Sequence, residues 1–228
     1  MRIALCLSGQ PRFVSEGYNK VHKPFIIGDY NIDTFIHSWI ITKEQIGTRW
    51  INAGGHPGDD IKENTMREYL DTYEPLVVEL DHQKEYEFGL YSDRTAPGIR
   101  SDYGASMLYS MYASNKLKSD YEKLNDFKYD VVIRSRSDFQ CFEPIYYERY
   151  DLDTITVPTG CPHPKGLADS FAFGSSENMD IYNDLFNTWK TLMDENKDQR
   201  LCWEELLWMH LENNNVEFNK LIKHRLYR

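Results

Sequence analysis

Basic residues are scarce in this 228-residue chain: 26 Lys and Arg stand against 36 Asp and Glu, a formal net charge of -10. Neutralising a nucleic-acid backbone needs clustered Lys and Arg, so the deficit argues against a nucleic-acid partner. It leaves room for an anionic ligand met by a few arginines in one pocket. Cysteine is sparse too. Cys6, Cys141, Cys161 and Cys202 are scattered, with no CxxC and no Cys/His cluster at zinc-ligand spacing, and are read as reduced thiols. Long apolar runs are missing: "RIALCLSG" breaks at Ser8 and Gly9, too soon for a signal peptide's apolar region, and no later stretch spans a bilayer. The expectation is a cytoplasmic protein without a membrane span. Two nucleotide signatures are also absent, the phosphate loop GxxxxGK[ST] and the dinucleotide fingerprint GxGxxG.

What is present is an ordinary globular composition, 41% hydrophobic and 27% charged, so a sizeable core is affordable. Aromatic residues are abundant, with 16 Tyr, 11 Phe and 5 Trp, and their faces offer apolar platforms to sugar C–H groups. "RIALCLSG" has the pattern of a strand buried on both faces. "FVSEGYNKVHKPFI" follows as a helix, "NIDTFIHSWI" as a second strand, and "DDIKENTMREYLDTYEP" as an amphipathic helix carrying Ile61, Thr65, Met66, Tyr69, Leu70 and Tyr73 on one side. "LVVEL" is a third strand, and the polar segment 82–102 is a loop.

Gly104 to Leu124 is helical, with Tyr109, Ala113, Leu117, Tyr121 and Leu124 at steps of three and four. "YDVVIRSRSDFQCF" supplies another strand, and "TITVP" and "SFAFG" two more. Ser175 caps one helix over "SENMDIYNDLFNTWKTLMDE", whose stripe of Met179, Tyr182, Leu185, Phe186, Trp189, Leu192 and Met193 faces the core. "LCWEELLWMHL" is a last helix, and the basic tail "NKLIKHRLYR" reads as a solvated terminus. Strands alternating with helices predict an α/β fold, a single-domain α/β/α sandwich with a mainly parallel central sheet related to the Rossmann type. No repeat, low-complexity tract or linker divides residues 1–228.

Ligands of open α/β sheets bind beyond the carboxyl ends of the strands. Two such places carry chemistry. In "SGQPR", Gly9 permits close backbone approach and Arg12 can hold a diphosphate by bidentate hydrogen bonds; an ordinary turn with a surface arginine accounts for it equally well. After "VVI" comes "RSRSD", where Asp138 suits Mg²⁺ or Mn²⁺, cations that take oxygen ligands and bridge to phosphates. Arg136 shares its side if the extended geometry continues. A structural Arg136–Asp138 ion pair is the competing reading. The literal D-x-D at Asp151 and Asp153 precedes a strand and is read as a turn.

The order "MRIALCLSGQPRF", "DTFIHSWI", "MLYSMYASNKLKSDYE", "YDVVIRSRSDFQCF" and "GLADSFAFGSSENMDIY" resembles nucleotide-sugar glycosyltransferases of GT-A fold, of the viral and bacterial surface-polysaccharide type, in which R-x-D replaces D-x-D. The resemblance spans roughly Met1 to Leu211. It implies a donor half, about 1–140, and an acceptor half, about 141–228. Ser8, Gly9, Arg12, Arg136 and Asp138 would bind a nucleoside-diphosphate sugar donor, with Asp138 ligating a divalent cation, Mn²⁺ or Mg²⁺, through the diphosphate. A cation and arginines would meet the charge growing on the departing diphosphate.

In "HPKGLADSFAFG", Asp169 is the candidate general base toward a saccharide acceptor hydroxyl, against a turn-capping role. His163 is a candidate acceptor contact. Glu204, with Glu205 beside it, opens the last helix where similar families place an acid to hold the acceptor sugar, although acids in a first turn also complement the helix dipole. His224 lies in the basic tail, which in some enzymes of the resembled fold closes over the donor but is more often a solvated terminus, and Trp39 and Trp50 are freer than Trp189 to line a site. The activity expected is hexosyl transfer to a saccharide acceptor in glycan or polysaccharide synthesis. A catalytically silent nucleotide- or carbohydrate-binding module of the same fold is the alternative, and a nucleotidyl- or sulfo-transferring enzyme is disfavoured by the missing phosphate-loop lysine.

Overall fold

In the computed structural model, residues 1–40, 65–82, 90–95 and 101–226 are described, with the side chains of 101–103 excepted. Trp50, Ile61 and residues 83–89 and 96–100 of the expected loop lie outside them. The chain opens with β1 (Ile3–Ser8), then α1 (Val14–Gly17), which runs into a π-helical stretch, Tyr18–Ile27, that houses Pro24. Next come β2 (Ile32–Ile40), α2 (Thr65–Tyr73) and β3 (Val77–His82). The long α3 (Ser101–Asn125) leads to β4 (Val131–Ser135) and β5 (Phe139–Cys141). After β6 (Ile155–Pro158) and β7 (Phe171–Gly174) follow α4 (Ser176–Asn183), α5 (Leu185–Glu195) and α6 (Trp203–Asn213). Two short strands, β8 (Phe218–Ile222) and β9 (His224–Leu226), close the described chain.

Seven strands form one sheet in the order β3-β2-β1-β4-β7-β6-β8. All pairings are parallel except those of β7, which runs against both β4 and β6. Residues from both halves of the chain therefore build one sheet. Its two faces are both covered, because alternate residues along each strand are apolar. Ala4, Cys6, Phe35, Val132 and Ala172 face a layer containing Leu108, Met111, Met179, Trp189 and Leu207. Ile3, Leu5, Leu7, Val131, Ile133, Phe171 and Phe173 face Val14, Val21, Tyr69 and Tyr73. Each fully buried Leu, Ile or Phe contributes about 1.5–3 kcal/mol. The expected three-layer α/β/α architecture with a mainly parallel sheet is the one observed.

Several local expectations need correction. The basic tail is not a solvated terminus: β8 extends the large sheet and β9 pairs antiparallel with β5, Cys141 opposite His224. The helix after Ser175 is two helices, since Asp184 ends α4 and begins α5; the Ser175 hydroxyl does accept a hydrogen bond from the Asn178 N–H at 3.4 Å. Leu124 is 83% exposed, and Trp39, inside β2, is buried beside His37 and stacked on Tyr109.

The stripe on α3 instead ends in a buried charge network that hydrophobic periodicity does not register. Lys118 and Glu122, both buried, pair at 3.2 Å, and Lys118 also donates to Asp180 and Ser176 at 2.8 Å. Glu122 accepts from the Tyr129 N–H at 2.8 Å and the Ser176 hydroxyl at 2.7 Å. With every charge met, the network holds α3 to α4 and to the start of β4.

Within the π-helical stretch His22 is fully buried, its Nδ1 2.8 Å from the Tyr73 hydroxyl. Burial holds the imidazole neutral and pulls its pKa down to about 4. Because the folded value lies below the unfolded one, the stability tied to His22 is full above pH 6.5 and is lost as pH falls from there through about 4. Urea unfolding is expected to show a loss of about 3 kcal/mol from this group over that range, and His22→Gln is expected to flatten that part of the pH profile. An unchanged slope in the variant would contradict the assignment.

Candidate functional site

The chain leaves β1 toward β2 on one side, while β4 lies on the other, so the strand order reverses between β1 and β4. The carboxyl ends of these two strands therefore splay apart and leave a crevice, the usual ligand position in open α/β sheets. Register puts Leu7 opposite Ser135 at the mouth, with Ser8 and Gly9 beyond. Since β7 is antiparallel, its start reaches the same edge: Ser135 pairs with Phe171, and the Arg136 N–H donates to the Ser170 carbonyl at 3.3 Å. The ends of β6 and β8 arrive there as well. The topology thus gathers the segments holding Ser8, Gly9, Arg12, Arg136, Asp138, Asp169 and His163 along one sheet edge.

Gly9 has φ +95°, a left-handed conformation that favours glycine, and a Cβ there would meet nothing within 4 Å. Its N–H donates to the Ser110 hydroxyl at 2.7 Å and its carbonyl accepts from the Ser38 hydroxyl at 2.8 Å. Across the crevice, the Ser137 hydroxyl accepts from the Arg12 N–H at 3.0 Å and donates to the Arg12 carbonyl at 2.9 Å. This double clamp fixes the β1 loop to the β4 turn. Neither Ser110 nor Ser137 was singled out from sequence, because a serine hydroxyl used by a distant backbone leaves no local signature. Ser8 is buried, and its Oγ has no hydrogen-bond partner.

Arg136 and Asp138 do meet, but not by sharing a strand face. β4 stops at Ser135, and a turn closed by the Phe139 N–H to the Arg136 carbonyl at 3.2 Å brings them together. Arg136 Nε and Nη2 donate to the two Asp138 oxygens at 2.8 and 2.6 Å. Arg12 Nη1 stands 4.0 Å from Asp138. The Asp138 side chain is only 3% exposed, against 26% for Arg136 and 29% for Arg12. Burial alone would push the Asp138 carboxyl up, but the Arg136 charge and hydrogen bonds, helped by Arg12, hold it below the usual carboxylate range. Two residues before Arg136, Arg134 is fully buried, and its Nε and Nη1 have no hydrogen-bond partner.

A divalent cation on Asp138 is a poor fit to this donor set. Both carboxylate oxygens are engaged by one guanidinium, the position two residues before is itself that arginine, and Asp138 belongs to no cluster of three metal-ligating groups among the described residues. The cluster that does occur joins His163, Cys202 and Glu204, whose ligand atoms lie within 4.8 Å of one another. Its members are engaged otherwise: His163 Nδ1 lies 2.9 Å from Arg200 Nη2, and the Cys202 thiol, pushed up to about 12 by burial, donates to Glu204 at 3.4 Å.

Asp169 and Glu204 form the acidic corner of the edge. The Leu167 N–H donates to the Glu204 carbonyl at 3.0 Å, tying the loop before β7 to the first turn of α6. Gly166 makes this close approach possible, since a Cβ there would come within 2.9 Å of Cys161 Sγ and 3.3 Å of Glu204 Cβ. Burial, then the Asp169 charge, raise the Glu204 carboxyl above its ordinary value. Glu205 instead pairs with Arg200 at 2.9 Å. His224 stacks on Phe139 with ring centroids 5.8 Å apart, and Asp169 lies close enough to favour its protonation against the stronger effect of burial. Asp151 and Asp153 make the expected turn, with Asp151 accepting from the Asp153 N–H and the Thr154 hydroxyl at 3.1 Å.

A separate depression of about 400 Å³, between Asn115 and Ser119 of α3, Asp180 of α4, and His210 and Asn214, lies at the far end of α6 from Glu204. Asp180 Oδ1 is taken by Asn115, Lys118 and Ser119, so it offers a ligand little. Neither models of known protein families nor curated protein sequences match the chain.

Removing the Asp169 charge in Asp169→Asn is expected to lower the Glu204 pKa, as followed by carboxyl-carbon NMR titration. An unshifted Glu204 would show that the two acids do not act as a pair.

Proposed function

We propose that this chain is a nucleotide-sugar-dependent glycosyltransferase that moves a hexose from a nucleoside diphosphate to a saccharide acceptor. One observation carries the reading. An arginine-lined crevice at the switch point of the sheet and an acid pair, Asp169 with Glu204, share one edge. Gly9 and Arg12 suit the diphosphate, Gly9 by leaving open space beside the backbone and Arg12 by its charge. The sugar then extends toward Asp169. An acceptor hydroxyl attacks the anomeric carbon, the bond from that carbon to the diphosphate oxygen breaks, and the acid pair takes the hydroxyl proton. Burial and then the Asp169 charge raise the Glu204 carboxyl above its ordinary value, which makes its ionised form a stronger base toward the acceptor hydroxyl.

A silent binding module of the same fold is favoured by one feature, the complete engagement of Asp138 by Arg136, which suits a structural pair. Turnover separates the readings. With a panel of sugar nucleotides and oligosaccharide acceptors, the wild type is expected to release nucleoside diphosphate in an acceptor-dependent way. Asp169→Asn and Glu204→Gln are each expected to lower kcat by about 10²–10⁴-fold while leaving nucleotide affinity within about threefold. Nucleotide binding without turnover on any pair would favour the silent module.

A further inference from the structure

The charge at the mouth of the crevice is organised around one bidentate pair, Arg136 with Asp138. Arg12, Arg134 and Arg136 all act on Asp138 at the ends of β1 and β4. Arg136 is committed to it through two hydrogen bonds. Arg134 is buried in β4 with two nitrogens lacking hydrogen-bond partners, a costly state for a guanidinium, which stays charged under all ordinary conditions. Asp169 acts on Arg134 and Arg136 from the start of β7, yet no ion pair joins it to either.

Resting on the nucleotide-sugar reading above, we infer that the site binds its nucleoside diphosphate without a divalent cation, and that the arginines supply the charge a metal would otherwise bring. A cation bound to Asp138 would have to displace Arg136 from both oxygens or stand against its guanidinium, and like charges at such distances in a buried site repel strongly. The opposite arrangement is favourable. A diphosphate entering beside Gly9 meets Arg12 at the rim, and the Arg134 and Arg136 charges behind it deepen the positive potential in a crevice with low-dielectric walls. As the bond to the sugar breaks, the added charge on the leaving diphosphate falls on guanidiniums already held in place by Asp138 and by the Ser137 clamp on the Arg12 backbone.

Calorimetric titration of the full chain with UDP, GDP, ADP, CDP and dTDP, each in Mn²⁺ and in EDTA, tests this. At least one diphosphate is expected to bind, with dissociation constants in the two conditions within about threefold. Binding that weakens more than about tenfold in EDTA overturns the inference and leaves the nucleotide-sugar reading standing. Absence of binding in both conditions overturns the two together. Arg12→Met keeps the backbone contacts to Ser137 and is expected to weaken binding by about tenfold or more with or without Mn²⁺; restoration of affinity by Mn²⁺ in this variant would also overturn the inference.

Discussion

Parallel strands β1 and β4 lie side by side in a sheet covered on both faces, and the chain departs from them in opposite directions. The loops that follow cannot pack against each other as a hairpin would, so a crevice opens at their carboxyl ends. Everything proposed for this protein depends on how that crevice is closed. Ser137 clamps it: its hydroxyl accepts from and donates to the Arg12 backbone, joining residues 125 positions apart in sequence, and the Arg12 side chain stands 4.0 Å from Asp138 beside this clamp. Two hydrogen bonds in one part-buried place contribute roughly 1–3 kcal/mol together. Their greater consequence is geometric, because they set where Arg12 and Gly9 stand relative to Arg136.

The second constraint is electrostatic. Burying Asp138 beside Arg136 is tolerable because the pair is bidentate, and taking away one partner of such a pair commonly costs about 3–5 kcal/mol. Asp138 thus serves the architecture of the crevice, as the structural-pair reading of R-x-D has it, and the proposed diphosphate site would use the arginines that this pair holds in place. Truncating Asp138 would strand Arg136, so a loss of binding in that variant would report on folding and on function at once. Arg12, more exposed and tied down through its backbone, separates the two.

Much of this was legible in the sequence. The buried runs of β1 and β4, the strand before Ser175 and the amphipathic helices follow from apolar periodicity, and the polar residues past the strand ends marked the edge that the topology makes common. The misses have physical causes. Strand parity placed Arg136 and Asp138 on one face, but the strand ends at Ser135 and a turn does the work. The tail looked solvated because Lys220, Lys223 and Arg225 dominate its composition, whereas β8 and β9 are specified by pairing with β6 and β5. Lys118 and Glu122 fell on what reads as a polar face of α3 and are buried because Ser176, Asp180 and the Tyr129 N–H satisfy them. Pairing partners distant in sequence leave no mark on either segment alone. The electrostatic influence of Asp169 on Glu204 is of the same kind, arising where the loop before β7 approaches the start of α6 at Gly166 and Leu167.

The central claim is that the crevice between β1 and β4 is where a nucleotide sits. Hydrogen exchange of backbone amides, read with and without the tightest-binding nucleoside diphosphate, addresses it directly. The account predicts added protection at residues 8–12 and 135–139, and none at the depression beside Asn115 and Asp180. Protection confined to that depression, or absent from the β1 and β4 ends under saturating nucleotide, would contradict it.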